Sequence, residues 1–370
     1  MCLIGSNQAT KESGSLLDDI YVNSIRGAID NGHMTASIKD EYKYPWRITL
    51  YPGLSCMFKC SFCGRNYDAV EKNADKSFAM FERIIEDDSS NDKNIFNISG
   101  GLEPLTSPFI NNLFKKLYDY NYSSRMLTNG FMLSKKNIKK WNYINSLRYI
   151  RISLYGLDEK EYESQTVNKK AWHVVRNNIK FFNTIKEKTK LHLNFVLLPN
   201  NYTSLSKLVD YIDYVGGCDQ VSLREDFYFT YEIIDREHLA SHLLSFEGEM
   251  NKRGISVDFG YSLHQIKNGK MTKLLRVTSV DQLSTHQSPQ IKVNIDPRGN
   301  IFNYCCAGFI DRPGADKHIL GNLNNSSVEI ELKKQKQISP DISDTQFMDA
   351  FNHLVEIYKW EYRKRRLLVA

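Results

Sequence analysis

From Trp46 onward, short apolar runs alternate with longer amphipathic stretches. Short runs rich in β-branched and aromatic residues predict strands, and apolar residues spaced three and four apart predict helices. The predicted strands are Arg47–Tyr51, Ile95–Ser99, Ser124–Thr128, Tyr149–Leu154, Leu191–Leu197 and Gln220–Leu223. Between them the pattern predicts helices near Ser77–Asp87, Pro108–Tyr120, Ser134–Trp141, Ala171–Glu187 and Ser204–Tyr214. Several of these open on Ser, or carry Pro in the first turn, where the backbone N–H groups have no intrahelical acceptor. Strand and helix in alternation imply βα units and a parallel sheet. The fold class expected is therefore α/β, a partial (β/α)6 TIM-like barrel, because six such units fall short of a closed eight-stranded barrel.

The pattern differs on either side of this region. Residues 1–45 show weak periodicity and read as a lead-in, with one helix around Leu16–Ala28. Residues 46–254 hold the barrel, and 231–254 look helical. Beyond them, Ile255–Gly260, Gln290–Asp296 and Ile301–Tyr304 read as strands, with Pro297-Arg298-Gly299-Asn300 as a hairpin turn. Residues 345–366 read as a long amphipathic helix, so 255–370 are expected to form a smaller α+β C-terminal cap.

Composition narrows the class. Hydrophobic residues make up 41% and charged residues 25% of the chain, which suits a globular protein. No apolar run reaches the roughly 18 residues of a membrane span. Met1-Cys2-Leu3-Ile4-Gly5-Ser6 lacks the basic and long apolar parts of a secretory signal, and seven cysteines with three in a cluster spacing argue for a reducing cytosol, so a cytoplasmic location is expected. The net charge of +6 balances 49 basic against 43 acidic residues, too mild to suggest a nucleic-acid partner. The basic run Arg363-Lys364-Arg365-Arg366 reads as a solvated helix end.

The chemistry is concentrated in cysteine spacing. Cys56, Cys60 and Cys63 follow the first predicted strand as C-x3-C-x2-C. At this cysteine frequency chance yields about 0.003 such triplets per chain. Three thiolates without a fourth can hold three irons of a 4Fe–4S cluster and leave the last iron open for a ligand. A zinc site would pair C-x2-C with a second such pair or with histidines. Cys2, Cys218, Cys305 and Cys306 do not supply that partner. Phe62 and Gly64 flank the third thiol, where an aromatic wall and a tight turn suit a cluster loop.

Other candidates end the predicted strands, on the face where barrels carry their sites. Ser99-Gly100-Gly101-Leu102-Glu103-Pro104 pairs two glycines, which let a ligand approach backbone, with an acidic residue suited to an ammonium group. Thr128-Asn129-Gly130 brings polar side chains to the same mouth. By alternation Arg151 and Ser153 share a face, as do His192 and Asn194. Tyr155 ends the fourth strand. Arg224, Glu225 and Asp226 end the sixth, where a guanidinium could hold a phosphate or carboxylate and a carboxylate could move a proton.

The loop Cys56-Met57-Phe58-Lys59-Cys60-Ser61-Phe62-Cys63 resembles that of the radical S-adenosylmethionine (SAM) superfamily. That resemblance implies one 4Fe–4S cluster on Cys56, Cys60 and Cys63, with SAM as cosubstrate cleaved reductively to a 5′-deoxyadenosyl radical. It implies SAM contacts from Gly100, Gly101 and Glu103, from Thr128 and Asn129, from Ser153, and from Val221 beside the adenine. The motif here carries an inserted Leu102 relative to the usual Gly-Gly-Glu-Pro. A flavodoxin or ferredoxin is implied as electron donor. The tail segments 296–302, 307–315 and 319–323 are similar to those of enzymes near the cytosylglucuronate decarboxylases, so a small sugar or nucleoside substrate is expected. Candidate catalytic residues are Arg224, Glu225 and Tyr155. Two other readings stay open: a peptide-modifying member with an auxiliary cluster involving Cys305 and Cys306, and a non-catalytic iron–sulfur or zinc protein.

Overall fold

The computed structural model describes residues 19–39, 41–60, 63–87, 95–198, 201–225, 235–269 and 288–334, with Val355, Tyr358 and Lys359. The expected helix over 345–366 lies outside the described residues save for those three, as do Cys2, Phe62, Asp226 and the basic run at 363–366.

Two helices come first, α1 (Asp19–Asp30) and α2 (His33–Lys39). There follow β1 (Arg47–Leu50), α3 (Ala74–Glu86), β2 (Ile95–Ile98), α4 (Ile110–Asp119), β3 (Ser123–Thr128), α5 (Lys135–Ile138) and β4 (Tyr149–Leu154). Next are α6 (Glu159–Thr166), α7 (Ala171–Ile185), β5 (Lys190–Leu197), α8 (Leu205–Tyr214), β6 (Gln220–Glu225) and α9 (Arg236–Lys252). The remainder is β7 (Ser256–Phe259), α10 (Tyr261–Lys267), β8 (Lys292–Ile295), β9 (Asn300–Phe302), β10 (Ile319–Asn322) and α11 (Val328–Lys334).

One open sheet runs in the order β10-β9-β8-β1-β2-β3-β4-β5-β6-β7. It is parallel from β8 to β7, and β9 and β10 add an antiparallel edge. This is the expected α/β half-barrel, enlarged. The strands expected in a C-terminal cap extend the same sheet: β7 follows β6, and β8 pairs with β1. The reason lies in Lys292–Ile295, buried at every position, which suits an interior strand covered on both faces.

Alternation separates the two faces of the sheet. Ile48, Phe96, Ile150, Leu193 and Leu223 are fully buried on the convex side, under apolar faces of the helices such as Phe81, Phe114 and Ile179. The residues between them are mostly polar and line the concave side: Thr49, Asn97, Arg125, Arg151, Asn194 and Ser222 among others, with Leu127 and Val196 as exceptions. Helix α6 escaped the sequence reading because it has almost no apolar stripe, burying Tyr162 and Thr166 alone; its N-terminus is held by Asp158, which accepts from Glu161 N–H at 3.0 Å. Predicted helix Ser134–Trp141 shortens to α5, although Ser134 caps it as expected. No helix among the described residues is long and apolar enough to cross a membrane.

The β8–β9 turn carries a pH-sensitive group. Asp296 accepts from the N–H groups of Arg298 and Asn300 and from Asn300 Nδ2, each at 2.9 Å. Burial nonetheless pushes its carboxyl up to about 6, against those hydrogen bonds. The folded state therefore holds this proton more tightly than the unfolded chain. Its stabilising contribution is complete below about pH 4 and disappears as pH rises through about 6, a change of about 2–3 kcal/mol. Asp296→Asn should be free of that term. Urea unfolding between pH 4 and 7 should show wild type losing stability relative to the variant; parallel curves would disprove it.

Candidate active site

The three cysteines lie on the loop that leaves the carboxyl end of β1. Glu103 N–H donates to Ser55 O at 2.9 Å, and Thr106 Oγ1 accepts from the N–H groups of Leu54 and Ser55 at 3.0 and 3.2 Å. Further along, Lys59 N–H donates to Thr166 O and Cys63 N–H to Cys60 O, both at 2.9 Å. Phe58 is buried between the rings of Phe131 and Tyr155, edge to face at 5.6 and 5.5 Å. Arg65 and Tyr67 cross the loop and donate to the carbonyls of Phe58 and Cys60. Cys60 is buried, while Cys56 and Cys63 are partly exposed. Burial, then the neighbouring thiols, pushes Cys60 far above the ordinary thiol range, and burial also raises Cys56.

The second and third strands end beside this loop. Glu103 is buried at 3% exposure and spends both carboxylate oxygens on the protein. Oε1 accepts from Thr128 Oγ1 at 2.5 Å and Leu105 N–H at 3.1 Å, and Oε2 accepts from Asn129 N–H at 2.8 Å. Burial raises its carboxyl to about 6, opposed by these three donors. Glu103 thus ties the Gly100-Gly101 turn to the end of β3. Asn129 turns its amide toward sulfur, with Nδ2 at 3.1 Å from Met57 Sδ and 3.8 Å from Cys56 Sγ. The glycines answer a local need as well. Gly100 has φ +135°, and a Cβ there would meet the Tyr51 ring, while one on Gly101 would meet Phe309.

The other predicted residues divide between the two faces. Ser153 lies on the concave face, in register with Asn194 and through it with Ser222. Tyr155 packs beneath the cysteine loop, and burial keeps its hydroxyl protonated. Arg224 pairs with Asp258 on the concave side, where Ser222 Oγ also donates to Asp258 Oδ2 at 3.3 Å. Glu225 points the other way, and its Oε1 accepts from Ser262 N–H at 2.9 Å at the start of α10. Val221 is fully buried with the convex core. Neither is brought into the concave space.

Cys305 and Cys306 return to the mouth, since Tyr51 OH lies 2.8 Å from Cys305 O and 3.3 Å from its Sγ. Cys218 precedes β6 and so lies at the amino end. Among the described residues no three His, Cys, Asp or Glu side chains converge on a single metal ion.

A polar stack lies lower on the concave face, and its Arg125 and Tyr149 are not among the site residues expected from the sequence. Arg125 donates to Asn97 Oδ1 at 2.5 Å and to Tyr149 OH at 2.9 Å. Tyr149 stacks on His192, with centroids 4.1 Å apart, and the Arg151 guanidinium lies 5.4 Å from the Tyr149 ring. The available signal was the alternation of Arg125, Tyr149 and Arg151 with buried aliphatic residues.

Comparison with known proteins identifies the half-barrel. Residues 50–212, which hold the cysteine loop and β2 to β5, match the sequence profile of the Radical SAM superfamily. This segment is a radical SAM domain. It is 29% identical over 362 residues to the dTDP-4-amino-4,6-dideoxy-D-glucose ammonia-lyase of Streptomyces venezuelae, across 90% of this chain and 74% of the relative. The fold is similar to Streptococcus suis SuiB bound to S-adenosylmethionine, with TM-score 0.59 and 17% identity over 95% of this chain and 80% of that one. It is also similar to anSMEcpe with bound AdoMet, with TM-score 0.53 and 16% identity over 87% of this chain and 98% of the other.

This radical SAM protein is an enzyme, and its family works with a 4Fe–4S cluster and SAM. The cysteine loop fits such a cluster. Its three thiols come from one loop and lie close enough to act on one another electrostatically. A cubane binds each thiolate through a separate iron, so three thiols on one loop suit it.

Proposed function

We propose that this radical SAM enzyme abstracts hydrogen from the sugar of a nucleotide-linked substrate, with Cys56, Cys60 and Cys63 holding its cluster. The observation that carries the proposal is the thiol triplet on the carboxyl-end loop of β1, within the segment that matches the superfamily. The sugar-nucleotide name of the Streptomyces venezuelae relative supports the substrate class. When bound, the cluster supplies the electron that splits SAM into methionine and a 5′-deoxyadenosyl radical. The chain's own residues hold the site in place. Glu103 fixes the turn after β2 against Thr128 and Asn129. Phe58, Phe131 and Tyr155 pack a dry wall under the loop, which keeps water and small reductants from a reactive carbon radical. Ser153 and Asn194 present polar groups to the ligand space. A flavodoxin or ferredoxin is the proposed electron donor and the reducing cytoplasm the proposed compartment.

The test uses the full chain reconstituted without oxygen. About four irons per chain are expected, and dithionite with SAM should yield 5′-deoxyadenosine. dTDP- and UDP-linked amino- or deoxysugars should raise that yield. A lone zinc, or no 5′-deoxyadenosine under any condition, would end the proposal. About eight irons would instead favour the peptide-modifying reading.

A further inference from the structure

We infer that the concave face of the sheet holds a binding site for the substrate's diphosphate, centred on Arg151 in the middle of β4. The inference rests on the nucleotide-sugar reading above and assigns that substrate's charged group to particular residues.

Three observations carry it. Arg151 makes no hydrogen bond to any described residue, and its Nε is buried without an acceptor. Nη2 of neighbouring Arg125 is likewise buried without an acceptor. Second, the surroundings are cationic. Arg47, Arg125 and Arg151 all act on Tyr149, and Arg224 acts on Arg151. The carboxylate that faces this group, Asp258, already accepts from Arg224 and Ser222. Third, His192 beside Arg151 does not add to the positive charge. Burial and Arg151 push its imidazole down to about 4, and its Nδ1 is buried without a partner.

A guanidinium nitrogen buried without an acceptor is disfavoured, and both Arg125 and Arg151 carry one while the rest of each side chain is only partly buried, so the site suits an anion that arrives from outside. The planar fork of arginine matches phosphate oxygens, and the surplus of cations suits two phosphate groups better than a single carboxylate. Position agrees with the chemistry. Ser153 stands about 7 Å above Arg151 along β4, and Tyr155 about 13 Å above it under the cysteine loop. A diphosphate on Arg151 would direct its attached sugar toward the mouth where the thiols stand.

The test is calorimetric titration of the reconstituted full chain with dTDP, UDP, pyrophosphate and glucuronate. Wild type should bind a nucleoside diphosphate, Arg151→Met should weaken it at least ~30-fold, and Arg151→Lys should fall between them. The melting temperature of Arg151→Met should stay level or rise, because the side chain gives up no protein acceptor. Equal nucleotide affinity in wild type and Arg151→Met would overturn the site while leaving the nucleotide-sugar reading intact. Loss of glucuronate binding alone would make it a carboxylate site and overturn the inference. A drop in melting temperature of more than about 5 °C would mark Arg151 as a structural cation and overturn it too. If pyrophosphate binds in an Arg151-dependent way but no nucleotide does, the anion site stands and the nucleotide reading fails.

Discussion

Cys60→Ala is expected to remove the iron and abolish SAM cleavage. Cys60 is the buried member of the triplet, on a loop pinned through Lys59 and Cys63. Two remaining thiolates cannot hold a cubane, so iron should fall from about four per chain to below about one. Formation of 5′-deoxyadenosine should fall by at least ~1,000-fold, since the proposed electron source for SAM cleavage is lost. Cys305→Ala is the matched control: its sulfur lies 3.3 Å from the Tyr51 hydroxyl. It should keep its iron. Full iron content and turnover in Cys60→Ala would refute the assignment of the loop. Iron loss in Cys305→Ala would bring the C-terminal pair into the metal chemistry.

Glu103→Ala should rank among the most destabilising single substitutions in the half-barrel. It leaves Asn129 N–H, Leu105 N–H and the Thr128 hydroxyl without their acceptor in a buried pocket, and it opens a cavity. Each buried donor stranded in this way costs about 1–3 kcal/mol, so a total near 3–5 kcal/mol is expected. Glu103→Gln keeps the shape and one acceptor oxygen and should lose less than half as much. Equilibrium urea unfolding measures both. A loss under about 1 kcal/mol for Glu103→Ala would show that this carboxylate does not brace the turn. SAM affinity should fall together with stability, because the same donors hold the ends of β2 and β3 in register.

The half-barrel was legible because its signals are local. Strands β1 to β6 hold apolar residues that need strand partners and a helical cover, and their predicted bounds agree within a residue or two. Glu103 shows where that kind of reading stops. An acidic residue after paired glycines reads as a ligand contact, yet its partners come from β3, some 25 residues further on. Glu225 and Val221 stand beside Arg224 and Ser222 on β6, and alternation turns them to the opposite face. Tyr51 and Phe309 fill the space that a side chain at Gly100 or Gly101 would need, a contact between segments far apart in the chain.

The chain's own residue order therefore determined the thiol spacing, the βα rhythm and the polar face of each strand, since all three depend on neighbours a few positions apart. Tertiary structure alone decided that β7 and β8 join opposite sides of one sheet, that Glu103 is a brace, and that Arg125, Tyr149, Arg151 and His192 stack into one cationic surface. Strand order and cross-strand register bring those groups together, and neither can be read from a single strand.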